Sequence, residues 1–229
     1  MRSPAQHASD QEGLTRAAAR GGVVGPLLFV AIVVLGGWLS ADYRHASQKI
    51  SELGGQGAEF AALQNVNFVM LGLLVLGFAW ALGRSLGAPY HGPVLLGVFG
   101  LLSGIANGLL PCDLGCAGET PVALAHNITG VLGFVAAIIG MILLARRWRH
   151  DPRWQHHVAP TVAAVCVAVG GLVWFIATQV ADPFHPIGGV AQRAFAGALL
   201  LWIARTAWLL QRQLASDRPS PPLERAATG

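Results

Sequence analysis

Residues 21–41 read GGVVGPLLFVAIVVLGGWLSA and contain no Asp, Glu, Lys or Arg. A helix needs roughly 20 apolar residues to cross a hydrocarbon core about 30 Å thick. A helix also satisfies its own backbone hydrogen bonds in lipid, where no water can replace them. This stretch therefore predicts a transmembrane helix.

The rest of the chain repeats this pattern. A soluble domain carries about 25% charged residues, whereas this chain of 229 residues has 11% charged and 54% hydrophobic residues. Four more stretches lack Asp, Glu, Lys and Arg altogether: 60–83, 85–112, 120–145 and 157–181.

A sixth apolar segment, residues 187–210, contains two arginines near its ends. Long side chains in such positions reach the membrane interface, so we count this segment as a span. The prediction is an all-α polytopic membrane protein with six transmembrane helices in one bundle. The predicted helices are 22–41, 60–83, 91–111, 123–145, 158–180 and 187–210.

The domain organisation follows from these spans. We assign residues 22–212 to a six-helix transmembrane domain. Residues 1–21 and 213–229 are polar and predict flexible cytoplasmic termini. The sequence contains no glycine-rich nucleotide-binding loop and no nucleic-acid module, so we assign no cofactor and no nucleic-acid partner.

The basic residues predict the orientation in the cell membrane. With both termini in the cytoplasm, twelve arginines lie inside and only Arg44, Lys49 and Arg193 lie outside, which satisfies the positive-inside rule. The inner set is Arg2, Arg16, Arg20, Arg84, Arg146, Arg147, Arg149, Arg153, Arg205, Arg212, Arg218 and Arg225.

The predicted outer segments hold most of the remaining polar chemistry. They contain six acidic residues and three histidines: Asp42, Glu52, Glu59, Asp113, Glu119 and Asp182, with His45, His126 and His185. Six amide side chains lie at the helix mouths beside them: Asn65, Asn67, Asn107, Asn127, Gln179 and Gln192.

Cys112 and Cys116 lie in one outer loop, four residues apart. A disulfide is the first interpretation, because an outward loop is in an oxidising compartment. Two free thiols and a pair of metal ligands are the alternatives, although no second cysteine pair completes a zinc site.

Glycines recur every fourth residue in the third span, at Gly100, Gly104 and Gly108. Such a ridge allows another helix to approach closely. Packing within the chain is the first interpretation, and a homodimer through the glycine-rich face is the alternative.

Several motifs together resemble domain-of-unknown-function family 998 of bacterial membrane proteins. They are YRHASQKISELGG (43–55), ALQNVNFVMLG (62–72), GLLPCD (108–113), a histidine near the start of the fourth helix (His126), and GGVAQR (188–193). The resemblance covers about residues 22–212. It implies a six-helix integral membrane protein without an assigned activity.

The first outer loop is also similar to that of six-helix autophagy-modulator and GPI-anchor-remodelling proteins. Their pattern Ile-Ser-acid-x-Gly is matched by Ile50, Ser51, Glu52 and Gly54. This similarity implies lipid-related work in the outer leaflet.

Three functions are compatible with these residues. The first is binding of a lipid or small amphiphile, with the helix-mouth amides holding a headgroup. The second is a metal-dependent membrane-embedded hydrolase. The candidate zinc ligands are His126, His185, Asp113 and Asp182, with Ser51 or Glu52 assisting a bound water. The third is a small-molecule transporter.

We predict one polar pocket at the outer face, between the second, third, fourth and sixth helices. We place no metal in it. Its predicted ligand-binding residues are Asp113, His126, Arg193, Asp182, His185, Ser51 and Glu52, with the Cys112–Cys116 pair stiffening the adjacent turn. Because an unpaired charge inside a helix is costly, we also predict that Arg193 pairs with Asp113 or Asp182.

Overall fold

The computed structural model describes residues 4–181 and 186–216. It contains six helices long and apolar enough to cross a membrane, which confirms the predicted fold class. They are α1 (Pro4–Leu39), α2 (Ala61–Leu86), α3 (His91–Leu109), α4 (Pro121–Trp148), α5 (Val158–Ala181) and α6 (Gly188–Ser216).

The first helix begins well before the predicted start at residue 22. It is continuous from Pro4, so the stretch assigned to a flexible N-terminus is helical from that residue on. Residues 14–19, LTRAAA, include strong helix formers. Arg16 also pairs with Glu12 at 2.6 Å, one helical turn away, which supports the helix further.

The helices form a closed ring in chain order, because each contacts the next and α6 returns to α1. Residues 40–60, 110–120 and 186–187 lie at one end of this ring, here called the polar end. The opposite end, here called the arginine end, carries residues 87–90 and 149–157. It is held by stacked indoles, since Trp148 lies 4.8 Å from Trp154 and 6.1 Å from Trp202 between ring centroids.

Close glycine contacts join α2 and α3. A Cβ atom at Gly104 would touch the Gly72 backbone, and one at Gly100 would lie 2.8 Å from the Gly72 carbonyl oxygen. The glycine ridge of α3 is therefore in contact with α2 of the same chain. Residues Gly100–Ala106 form a π-helical segment at this contact. Such segments are often found at functional sites.

Two local devices set the entry to α4. The Thr120 hydroxyl accepts a hydrogen bond from the Ala123 amide at 3.2 Å, and Pro121 occupies the first helical turn. Both are common helix-start signals. They place His126 in the second turn, facing the interior of the ring, where it is buried.

Candidate functional site

A cavity of about 330 Å³ lies inside the ring toward the polar end. Its inner wall is aromatic, formed by Phe29, Phe68, Phe99, Phe134 and Phe195, together with Phe175. Its rim is polar and includes Lys49, Ser51, Ser103, Asn107, His126, Asn127, Gln179 and Gln192. An apolar chamber with a few convergent polar groups is the usual form of a small-molecule site.

Helical periodicity explains how α5 lines this cavity. Leu172, Phe175, Ile176, Gln179 and Val180 all face it, and residues three and four apart share one side of a helix. The lining covers eight residue steps, or about 12 Å at 1.5 Å per residue. The cavity therefore extends from the polar rim into the depth of the bundle.

Among the described residues, Lys49 is the only charged one that lines the cavity. Its side chain is buried, and Nζ donates to the Cys116 carbonyl oxygen at 3.2 Å and to Gln179 Oε1 at 2.9 Å. Burial lowers the pKa of Lys49, while the charges of Glu52 and Asp113 act in the opposite direction. An ammonium group has three N–H donors, so one of them has no partner among the described residues.

Gln192 adds a second donor to the rim. Its Oε1 accepts a hydrogen bond from the Ile50 amide at 2.5 Å, and this leaves Nε2 without a partner in the described part of the chain. Ser51 lies beside it in the turn Ile50–Gly54, with Oγ 3.3 Å from Cys116 Sγ. The rim near Lys49 is thus rich in donors.

His126 also lines the rim. Its Nδ1 lies 2.7 Å from the Leu110 carbonyl oxygen, which can only accept, so Nδ1 carries the proton. In the neutral imidazole Nε2 is then an acceptor. The Phe68 ring packs edge-on against this histidine, with ring centroids 6.5 Å apart.

Of the seven predicted site residues, the structure brings Ser51 and His126 to the cavity. It places Glu52, Asp113 and Arg193 outside the lining. Asp182 and His185 lie outside the described residues. Glu52 caps the turn that carries Ser51, because Oε1 accepts from the Lys49 amide at 2.7 Å.

Asp113 holds the loop before α4 instead of facing the cavity. Its carboxylate accepts from the amides of Gly118, Glu119 and Thr120 at 3.1, 2.6 and 3.1 Å. Burial acts to raise the pKa of Asp113, but backbone hydrogen bonds outweigh it, so the pKa lies below its usual value. The carboxylate is a structural acceptor.

We expect Asp113→Asn to lower the free energy of unfolding at neutral pH by about 1–3 kcal/mol, since hydrogen bonds to a charged acceptor are lost. A lowered folded-state pKa contributes stability that is complete above the unfolded pKa of about 3.9 and is lost as pH falls through the folded value. Thermal unfolding between pH 3 and 7 measures both effects. The exposed Glu119→Gln in the same loop is the control, and an equal loss in both variants would contradict this role.

Arg193 is held by uncharged groups. Nη1 donates to the carbonyl oxygens of Gln48 and Gly189 at 2.9 and 3.0 Å. Nη2 donates to the Tyr43 hydroxyl at 2.6 Å and lies 3.1 Å from His45 Nδ1. The expected ion pair with Asp113 is therefore absent from the described residues, and the alternative partner Asp182 lies outside them. Arg193 instead fixes the segment that carries Lys49.

Cys112 and Cys116 form a disulfide in the structure, with Cα atoms 4.9 Å apart. Gly115, between them, adopts a positive φ of 67°, a conformation that favours glycine. Both cysteines are buried, and Cys116 lines the cavity beside Lys49. The bridge thus lies directly behind the polar rim.

Among residues 4–181 and 186–216, no three His, Cys, Asp or Glu side chains lie together so that they could hold a metal ion. Of the six helix-mouth amides, Asn107, Asn127, Gln179 and Gln192 line the cavity, whereas Asn65 and Asn67 bond to Gly54 and Phe29 carbonyls. Asn107 and Ser103 also link α3 to α4, through Thr129 and Gly130.

Sequence reasoning missed Lys49 and the phenylalanine wall. The charge pattern marks Lys49 only as one of three outer basic residues. A signal was present, because Lys49 immediately precedes the Ile-Ser-acid-x-Gly motif at residues 50–54. The six phenylalanines come one from each of the six helices, so only the packed ring brings them together.

Six apolar helices and a cavity with a polar rim define a multi-pass integral membrane protein. Within that class, the chain belongs to the family described as "Protein of unknown function (DUF998)", whose model matches residues 23–209. The family resemblance seen in the motifs is thereby confirmed. No curated protein and no solved structure matches the chain.

Proposed function

We propose that the cavity binds a single-chain amphiphile with an anionic headgroup. The observation that carries the proposal is Lys49, a buried side chain at the rim of an aromatic chamber, with one N–H donor that has no partner among the described residues. A carboxylate or a phosphate at this point would accept from Lys49 Nζ and from Gln192 Nε2. Charge-assisted hydrogen bonds of this kind are the strong ones.

The charge balance of the cavity supports an anion. Among residues 4–181 and 186–216, no Asp or Glu lines the cavity. A buried charge is costly unless it is paired and hydrogen-bonded. An anionic headgroup would offset that cost at Lys49, whereas a neutral headgroup would leave it in place.

The aromatic wall supports an acyl chain as the other half of the ligand. Lipid tails are about as apolar as the side chains of a transmembrane helix. Moving a chain from the bilayer into this cavity is therefore nearly neutral in free energy. The headgroup contacts would then decide which amphiphile is bound.

The predicted positive-inside orientation indicates which membrane leaflet the cavity faces. With the arginine end in the cytoplasm, the cavity would face the outer leaflet of the cell membrane. The similarity of residues 50–54 to lipid-remodelling proteins agrees with that location. A metal-dependent hydrolase and a transporter are the alternative functions.

The test uses the purified protein in nanodiscs and three probes with the same chain: oleate, 1-oleoyl-lysophosphatidate and oleyl alcohol. We expect Lys49→Met to weaken binding of the two anions by about 10- to 100-fold, the equivalent of losing a hydrogen bond to a charged group. Binding of oleyl alcohol should change by less than about threefold, because its headgroup carries no charge to pair with Lys49.

Arg44→Met is the matched control, because Arg44 is an exposed cation in the same segment. It should leave all three affinities unchanged. Equal binding of alcohol and anions, or equal effects of the two variants, would contradict the proposal. Mass spectrometry of the bound lysophosphatidate distinguishes binding from hydrolysis, and we expect it to be recovered intact.

A further inference from the structure

The residues that line the cavity differ sharply in exposure from helix to helix. The lining phenylalanines of α1, α2, α3 and α6 are closed off from the outside: Phe29, Phe68, Phe99 and Phe195 are at most 7% exposed. By contrast, Val131 on α4 is 39% exposed and Ile176 on α5 is 44% exposed. Both also line the cavity.

Val131 and Ile176 lie at the border between the cavity-facing side and the exposed side of their helices. Val131 directly follows Gly130, which lines the cavity, and directly precedes the exposed Leu132. Ile176 lies one turn from Gln179, which faces the cavity, and three residues from the exposed Val173. No buried residue separates the two surfaces at these positions.

α4 and α5 are neighbours in the ring, and their mutual contact is the least extensive between consecutive helices. The remaining exposed lining residues, Ala117 and Val180, lie beside the same two helices at the polar end. All four exposed lining residues thus belong to α4, to α5 or to the loop that leads into α4.

The position of Val131 along α4 places this exposed edge of the cavity beside lipid. Val131 is ten residues from the start of α4 at Pro121, which corresponds to about 15 Å along the helix. A hydrocarbon core is about 30 Å thick. Ile176 is five residues from the end of α5 at Ala181, which corresponds to about 7.5 Å. Both side chains are apolar and compatible with an acyl chain.

From this geometry we infer that the cavity opens sideways into the bilayer through a slot between α4 and α5. Its ligand is then a membrane-resident amphiphile that enters from the leaflet. The anionic headgroup lies at Lys49, and the part of a long chain that exceeds the cavity leaves through the slot past Val131 and Ile176. The inference rests on the proposed function, because it concerns the same ligand.

The test closes the slot with the double variant Val131→Trp/Ile176→Trp and compares two carboxylates of different length, oleate and octanoate. We expect the affinity for oleate to fall by about tenfold or more, because the tryptophan side chains would clash with an acyl chain that passes through the slot. Octanoate, which fits inside the cavity, should change by less than about threefold. Lys49→Met should weaken both carboxylates, because both use the same headgroup contact.

The matched control is Ile139→Trp/Val169→Trp, which adds two tryptophans to exposed positions of the same helices, two turns away from the slot. It should leave both affinities unchanged. Unchanged oleate binding in the slot variant, or the same loss in the control, would overturn the lateral opening. Loss of octanoate together with oleate would also overturn it, because the tryptophans would then fill the cavity.

These outcomes are separable from a failure of the proposed function. If wild-type protein binds oleate in a Lys49-dependent manner and the slot variant binds it equally well, the site stands and the lateral opening does not. If wild-type protein binds neither carboxylate, the proposed function itself is wrong.

Discussion

Gly104→Leu is expected to lower the free energy of unfolding by about 3 kcal/mol or more, the upper range for overpacking. A Cβ atom at this position would contact Gly72 Cα and would lie 2.7 Å from the Gly72 nitrogen and 3.1 Å from the Phe68 carbonyl oxygen. These are backbone atoms, so no side-chain rotation relieves the contact. Helices α2 and α3 would have to separate, and this would deform the cavity wall at Phe68.

Gly197→Leu is the matched control, because a Cβ atom at Gly197 meets nothing within 4 Å. This glycine lies inside α6 on an exposed face, and leucine is a better helix former by about 0.8–1 kcal/mol. Gly197→Leu should therefore equal or exceed the wild-type stability. Thermal unfolding in detergent measures both variants, and equal melting temperatures would contradict the close helix contact.

Arg193→Met is expected to cost about 3 kcal/mol, since it removes several hydrogen bonds from a charged donor. The affected acceptors are the Tyr43 hydroxyl and the carbonyl oxygens of Gln48 and Gly189. Because Gln48 precedes Lys49, we also expect weaker binding of oleate. Arg205→Met is the control, as Arg205 is on the same helix and makes no hydrogen bond among the described residues.

Arg193→Lys separates this role from simple snorkelling. The guanidinium uses two nitrogens that point to different groups, Nη1 to backbone carbonyls and Nη2 to Tyr43 and His45. A single ammonium cannot reproduce that fork, so lysine should give an intermediate loss of stability. If lysine and arginine prove equivalent in thermal unfolding, the hydrogen bonds have no structural weight and the side chain only reaches the interface.

The membrane architecture was readable from the sequence because its cause is local. A segment without charges and long enough to cross the hydrocarbon core must form a helix, since its backbone has no other partners in lipid. That reasoning held for the segment with Arg193 and Arg205 as well, and α6 is present. The polarity of residues 4–21 predicts a flexible segment, whereas the structure continues α1 through them from Pro4.

The candidate site was only partly readable, and the reason is physical. Ser51 and His126 could be assigned to a common rim because each lies beside the end of a span. Asp113 lies equally close, but the three amides of residues 118–120 take its carboxylate. Every non-proline residue of a loop has a backbone amide that can donate a hydrogen bond. The sequence does not show which of these amides will donate to a given carboxylate.

The sequence by itself determined the six helices, most of their ends, the family and the charge asymmetry between the two ends of the bundle. Only the tertiary structure decided which side of each helix faces the cavity. A transmembrane helix that is apolar around its whole circumference carries no stripe that marks an inner face. Contacts between residues far apart in the sequence determine which side of a helix faces inward. One example is the hydrogen bond from Lys49 Nζ to Gln179 Oε1. The phenylalanine wall and the exposed edge at Val131 and Ile176 follow from the same packing.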